Sequence, residues 1–241
     1  MKGIILAGGN ATRLRPLTKI TSKQLLPVYN KPMIFYPINT LVKAGIKDIL
    51  IIIAPDYAGH FLNLLGSGSD FGANFTYEVQ QKPGGLSEAF IIGENFIDED
   101  NVTMILGDNI FEHDFSEQIK NFQSGAVVFA KEVPDPERYG VIEFDENKNV
   151  LSIVEKPENP KSNYAMTGIY ICDNKVSSFA KSAKPSERGE IEITETINQY
   201  LDKKELKVEV IDGMWEDAGT FDSLLRVNNL VAEKVKRGEW K

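Results

Sequence analysis

The chain has 241 residues, a net charge of −8, 42% hydrophobic residues, 19 glycines and one cysteine, which excludes disordered, collagenous and disulfide-scaffold classes. The longest apolar run, residues 49–54, is far short of the roughly 20 a membrane-spanning helix needs, so no membrane segment is expected. The acidic balance argues against a nucleic-acid partner, and a lone Cys172 behind an amino-terminal apolar stretch too short for a signal peptide fits a cytoplasmic protein.

Residues 2–7 are an apolar run that stops at Gly8 and Gly9, the pattern of a buried strand ending in a turn. The spacing over 32–44, with a proline in the first turn and Gly45 just past the end, predicts a helix. An isoleucine-rich strand over 48–54 comes next, then a helix over 56–65 closed by Gly66. Residues 75–80 alternate as a half-buried strand, 86–96 read as a helix, and 102–106 as another buried strand. This rhythm predicts an α/β fold of Rossmann-like layout, a mostly parallel sheet with helices on both faces.

After Asp108 the pattern changes. A helix over 115–122 precedes closely spaced strands at 126–133, 141–144, 150–155 and 165–172, as in an antiparallel, β-rich insertion. Helices over 175–183, 191–201 and 221–237 follow, with a strand at 206–211. No repeat or linker interrupts the chain, so residues 1–241 read as one domain. In the last helix Leu224, Val227, Val231 and Val235 share a face, a stripe for core packing or for a subunit contact in a homo-oligomer.

The charge is unevenly placed. Residues 1–47 hold eight lysines and arginines and no carboxylate, leaving −16 on the rest of the chain. An acidic protein with one cationic segment suits a small polyanion bound at one place; a solvated basic face is the plainer alternative. The two histidines, His60 and His113, lie on different elements without cysteine partners or a nucleophile elbow, which argues against a zinc cluster or a Ser-His-Asp triad. Neither a phosphate-loop nor a dinucleotide fingerprint is present. Attack of a phosphate monoester on a nucleoside triphosphate works without imidazole or thiolate. The nucleophile's second pKa is about 6, so it needs no general base. It needs cations, in-line positioning and carboxylates for Mg²⁺.

The turn after the first strand supplies such groups. GGNATRLRPLT at 8–18 and SKQLLP at 22–27 resemble the signature of the sugar-1-phosphate nucleotidyltransferases, most closely those that transfer thymidylate to glucose 1-phosphate. The resemblance extends over essentially the whole chain through LGDN at 106–109, YG at 139–140, EKP at 155–157, RGEIEIT at 188–194 and WEDAGT at 215–220. It implies that residues 1–110 serve mainly the nucleotide and 111–220 mainly the sugar phosphate. It further implies Arg13 and Lys23 on the triphosphate, Asp108 and Asp217 on Mg²⁺, and Leu6, Gly8, Gly9, Thr12, Gln24, Gln80 and Gly85 around the nucleotide. Tyr139, Gly140, Glu155, Lys156, Met166, Arg188 and Glu190 would take the sugar phosphate. The larger family members continue for roughly 50 residues more, a size within one domain, in a helical extension that contributes a regulatory site and subunit contacts.

One position departs from the pattern. Ala11 stands where the family has glycine, which strains the turn by roughly 1 kcal/mol if positive φ is needed there, or shifts the loop. Taken without the resemblance, Asp108 and Asp217 read equally as helix caps, Tyr139 as packing, and 188–190 as a helix start. The reaction implied is dTTP with α-D-glucose 1-phosphate giving dTDP-glucose and pyrophosphate. The alternatives are a UTP-dependent or other hexose-1-phosphate enzyme, or a non-catalytic sugar-nucleotide sensor.

Overall fold

The computed structural model describes residues 1–9 and 11–240. Its amino-terminal apolar run is strand β1 (Lys2–Ala7), buried from Gly3 to Ala7. A hairpin of β2 (Pro27–Val28) and β3 (Lys31–Pro32) comes before helix α1 (Phe35–Lys43). That helix therefore starts three residues later than Pro32 suggests. Pro32 pairs with Pro27, and the N–H groups of Met33 and Ile34 donate to the carbonyls of Leu26 and Gln24, so this segment is held against the preceding chain. Strand β4 (Asp48–Ile53), helix α2 (Ala58–Leu65) and strand β5 (Asn74–Val79) follow, with a 3₁₀ turn over Pro55–Tyr57 opening α2.

The helix expected over 86–96 is two, α3 (Glu88–Ile92) and α4 (Glu94–Ile97), broken at Gly93 where the chain lies against Ile4 and Leu50 of the sheet. Strand β6 (Val102–Leu106) leads into a further short strand, β7 (Asn109–Phe111), and then helix α5 (Ser116–Asn121). The β-rich part contains β8 (Ala126–Glu132), β9 (Gly140–Phe144), β10 (Val150–Glu155) and β11 (Tyr164–Cys172). Helices α6 (Val176–Ser182) and α7 (Ile193–Asp202), strands β12 (Leu206–Val210) and β13 (Trp215–Asp217), and helix α8 (Phe221–Lys236) complete the order.

Strands β6, β1, β4 and β5 form a parallel block, in which each residue pair from Gly3 to Ala7 matches Ile49 to Ile53. Strand β11 runs antiparallel to β6 through Ile169 to Cys172, with β8 on its other edge and β12 beyond. Nearer its start, β11 turns the β6-facing edge to β9 instead, Ala165 pairing with Val141, and β10 lies outside β9. The sheet thus forks around Thr167 and Gly168, where the β8–β11 register also shifts.

Alternate residues of the parallel strands feed two cores. Ile4, Leu6, Leu50 and Ile52 pack under α3, α4, α6 and α7, while Ile5, Ala7, Ile49, Ile51 and Ile53 pack under α1, α2 and α5. The stripe of α8 builds a third cluster, in which Val227 and Val231 are buried with Val28, Met33 and Ile110. No helix among the described residues is long and apolar enough to cross a membrane.

A joint ties the segment after β5 to the segment before α7. Ile191 N–H donates to Gly84 O at 2.8 Å, Ser87 N–H to Ile191 O at 3.2 Å, and the buried Ser87 Oγ lies 2.7 Å from Thr196 Oγ1. Gly85 sits inside this joint at φ +98°, where an added Cβ would come within 2.3 Å of Ile191 O. Gly85→Ala should therefore lower stability by roughly 2 to 4 kcal/mol in urea unfolding, through backbone collision and a left-handed φ together. At Gly72, in the left-handed helical region at φ 69°, ψ 27° with open space around it, the same change should cost only about 1 kcal/mol.

Candidate active site

Asp108 and Asp217, distant in sequence, are brought together by the antiparallel pairing of β13 with β7. Asp217 faces Asn109 in that ribbon, and Ala218 N–H donates to Asp108 O at 3.0 Å. Trp215 Nε1 donates to Asn109 Oδ1 at 2.6 Å, and Asn109 Nδ2 to Asp108 Oδ1 at 3.3 Å, so the indole fixes the amide and the amide steadies the carboxylate. Gly168, at the fork of the sheet, lets Asn109 approach: a Cβ there would lie 2.4 Å from Asn109 Oδ1. Neither aspartate caps a helix. Asp108 precedes a strand, and α8 is capped by Thr220 in a reciprocal arrangement with Ser223.

The local electrostatics are unbalanced. Burial opposes ionisation of Asp108, but the Lys23 ammonium, hydrogen-bonded to its Oδ2, outweighs burial and holds the carboxyl below the usual range. Burial likewise works against the charge on Lys23, yet Asp108 and Asp217 keep its pKa above the ordinary value. Asp217 has no such direct partner. Burial first, and the Asp108 charge second, push it up to about 6, against Lys23 and Arg13. Its Oδ1 is enclosed and accepts no hydrogen bond, while the Arg13 guanidinium lies close by against Gly219.

Around this pair open two contiguous cavities. The smaller, about 270 Å³, is walled by Leu6, Gly8, Gly9, Arg13, Lys23, Gln24, Gln80, Gly85 and Asp108 among others. The larger, about 720 Å³, fills the fork and takes in Tyr139, Gly140, Glu155, Lys156, Met166, Arg188 and Glu190. Arg13, Asn109, Glu155, Lys156, Glu190 and Asp217 belong to both. Thr12, expected beside the nucleotide, lines the larger cavity instead. Both walls draw on both halves of the chain. Two cations of the larger cavity are held by carboxylates: Lys156 Nζ lies 3.0 Å from Glu155 Oε1, and Arg188 Nη2 lies 2.8 Å from Glu192 Oε1. Lys156 also adopts φ +41°, a left-handed conformation unusual for lysine, and its N–H donates to Tyr139 O.

Sequence reasoning overlooked the parts played by Asn109, Trp215, Gly168 and Glu192. Asn109, Trp215 and Glu192 lie in motifs read for their neighbours, LGDN, WEDAGT and RGEIEIT; Gly168 gave no signal, since its contact is across strands. At Ala11 the backbone takes φ 44°, ψ 41°, so the strained alternative, a left-handed alanine, is the one adopted. Its carbonyl accepts from Thr18 Oγ1 at 2.7 Å and from Leu14 N–H at 3.1 Å.

A family model described as nucleotidyl transferase matches residues 2–234. The chain is 54% identical over 230 residues to a glucose-1-phosphate thymidylyltransferase of Neisseria gonorrhoeae, covering 93% of this chain and 80% of that protein. It is 50% identical to the enzyme of the same description from Mycobacterium tuberculosis strain H37Rv, covering 98% and 84%. Among solved structures it resembles a Bacillus anthracis protein assigned as a glucose-1-phosphate thymidylyltransferase and crystallised with sucrose, at TM-score 0.90 and 48% identity over 95% of this chain and 94% of that one. It also resembles a UDP-glucose pyrophosphorylase complexed with UDP-glucose, at TM-score 0.83 and 27% identity over 97% and 98%.

Two stability effects follow from the geometry. Ala11→Gly should relieve the left-handed strain and raise stability by about 1 kcal/mol in urea unfolding. Because the pKa of Asp217 is raised on folding, its protonated form favours the folded state at low pH, and that contribution is lost as pH rises from about 4 through about 6. Asp217→Asn should remove this loss. In EDTA at pH 7.5 the variant should be more stable than the parent by roughly 1 to 3 kcal/mol, at pH 5 by about half as much, and below about pH 4 the difference should vanish.

Proposed function

From its membership of the nucleotidyl transferase family, to which this chain belongs, we infer that the protein transfers a thymidylyl group from dTTP to α-D-glucose 1-phosphate, giving dTDP-glucose and pyrophosphate. The activity is that of relatives about half identical over nearly the whole chain. The observation that carries it is the meeting of two cavities at one cluster, Arg13, Lys23, Asp108 and Asp217, where two polyanions would be joined.

In this reading residues 1–110 serve mainly dTTP and 111–220 mainly the sugar phosphate, with Arg13 and Asp217 shared across the boundary. An oxygen of the sugar phosphate attacks the α-phosphorus, the bond from that phosphorus to the bridging oxygen breaks, and pyrophosphate leaves with the electron pair. The nucleophile is already largely deprotonated at neutral pH, so no side chain has to remove a proton. Arg13 offers a guanidinium fork to the outer phosphates and Lys23 a point charge near the α-phosphate. Lys156 and Arg188 hold the sugar phosphate in line, and Glu155 and the backbone near Gly140 and Met166 accept from or border the glucose hydroxyls.

Mg²⁺ suits the aspartate pair on the chemistry of the donors: both are hard oxygens, and Asp217 Oδ1 is enclosed without a partner. Among the described residues no group of three or more His, Cys, Asp or Glu could hold a metal. That is compatible with an ion bound by two protein carboxylates, phosphates and water. When bound it would supply charge neutralisation across the two phosphate groups. A cytoplasmic setting accords with two phosphorylated metabolites as substrates and with a buried, unpaired Cys172.

Pyrophosphate release with each nucleoside triphosphate against glucose 1-phosphate tests the assignment. Release should be fastest with dTTP; measurable nucleotide binding without release for any pair would indicate a sensor instead. A UTP-dependent enzyme is the second reading, favoured by the likeness to the UDP-glucose pyrophosphorylase and by the identical hydrogen-bonding edges of uracil and thymine. Asp108→Asn should lower turnover by at least about 100-fold while circular dichroism remains that of the folded parent, as expected when a group stabilising transition-state charge is lost.

A further inference from the structure

At one end of the smaller cavity Gln24 and Gln80 stand on either side of Gly8, 1% and 6% exposed, and each has part of its amide engaged. Gln80 donates from Nε2 to Glu88 Oε2 at 2.6 Å. Its Oε1, at the other end of the planar amide, is turned to Gly8, close enough that an added Cβ would come within 2.3 Å. Gln24 Oε1 accepts from Ser22 Oγ, and Gln24 Nε2 faces Gly8 O at 3.5 Å with a second amide hydrogen to spare. The wall therefore shows a donor from Gln24 and an acceptor from Gln80.

An isolated glutamine amide can turn over and exchange donor for acceptor. Ser22 restrains Gln24 weakly, since a hydroxyl can either give or accept a hydrogen bond. Glu88 restrains Gln80 strongly, since a carboxylate has no proton to give. The Glu88 carboxylate is itself packed against Gly84, where a Cβ would meet it at 2.5 to 2.8 Å. Resting on the thymidylyl-transfer reading, we infer that Glu88 is a positioning residue: it locks the Gln80 amide with its oxygen toward the base, so that the cavity selects a pyrimidine carrying N–H at ring position 3 and rejects cytosine. Thymine and uracil place a carbonyl beside that N–H and match both amides. Cytosine, held in the same pose by its sugar and phosphates, brings a bare nitrogen to Gln80 Oε1 and an amino group to the Gln24 donor.

The test compares kcat/KM for dTTP, UTP and dCTP in the parent, Glu88→Ala and Glu88→Gln, with equilibrium binding of dTTP and dCTP measured by calorimetry on the same proteins. Glu88→Ala should narrow the dTTP-to-dCTP ratio at least about tenfold, mainly through KM, and leave the dTTP-to-UTP ratio unchanged. Glu88→Gln, nearly isosteric but with an amide that can give as well as accept a hydrogen bond, no longer fixes the Gln80 amide and should narrow the ratio in the same direction, at least about threefold. An equal loss for dTTP and dCTP in Glu88→Ala, or an unchanged ratio, would overturn the inference while leaving the transfer reaction standing. If the parent transfers no thymidylate at all, the reaction reading fails, and the calorimetric dTTP-to-dCTP ratio still decides the role of Glu88 by the same criterion.

Discussion

Everything at the centre of this molecule depends on two carboxylates being forced together in a partly dry place. The β7–β13 ribbon sets the distance, and its cost is visible in the two acids. Asp108 stays ionised by its bond to Lys23, whereas Asp217 is pushed up to about 6. A buried negative charge without a partner is unfavourable unless a cation shares the space. The fold thus holds part of its chemistry as an unresolved repulsion, with Lys23 and Arg13 arriving from the cationic first segment to moderate it.

The surrounding architecture serves to keep that repulsion from relaxing. Trp215 pins Asn109, Asn109 pins Asp108, and Gly168 on the neighbouring strand leaves the room that Asn109 occupies. The joint between Gly84 to Ser87 and Ile191 to Thr196 ties together segments from the two halves of the chain beside both cavities, so that Leu86 and Glu190 share one rim. Positioning of this kind matters most for a displacement between two anions, where alignment and charge compensation carry most of the barrier reduction.

Much of this was legible in the amino-acid order. The parallel block follows from apolar runs at 2–7, 48–54 and 102–106, because a strand buried on both faces has no polar alternation to confuse with a helix edge. Many of the side chains that line the two cavities lie in short motifs and were singled out there, whereas Arg138, Gly168 and Tyr170 line the larger one without having been. The helix boundaries at Pro32 and Gly93 were less so, since each is decided by a contact with a distant segment: Met33 and Ile34 bonded to Leu26 and Gln24, and Gly93 pressed on Ile4. The three-residue strands β7 and β13 escaped notice for the same reason, as a ribbon that short has no periodicity of its own. Of the eight early cations, Arg13 and Lys23 reach the site, while Lys2 and Lys43 are engaged with Asp100 and Asp114 elsewhere.

The β9–β10 hairpin meets the β6-facing edge of β11 at Ala165 and Val141, whereas the ribbon bearing the aspartates is anchored to the parallel block. One wall of the larger cavity is consequently a hairpin that joins the sheet at a single register point and is seated on the core through Ile142 and Ile153. On the proposed reading, exchange of its side chains away from Glu155, which borders both cavities, or a change in its length, would retune which hexose is admitted while leaving the aspartate ribbon in place. Donor and acceptor preferences in a fold of this kind are therefore free to diverge at separate rates.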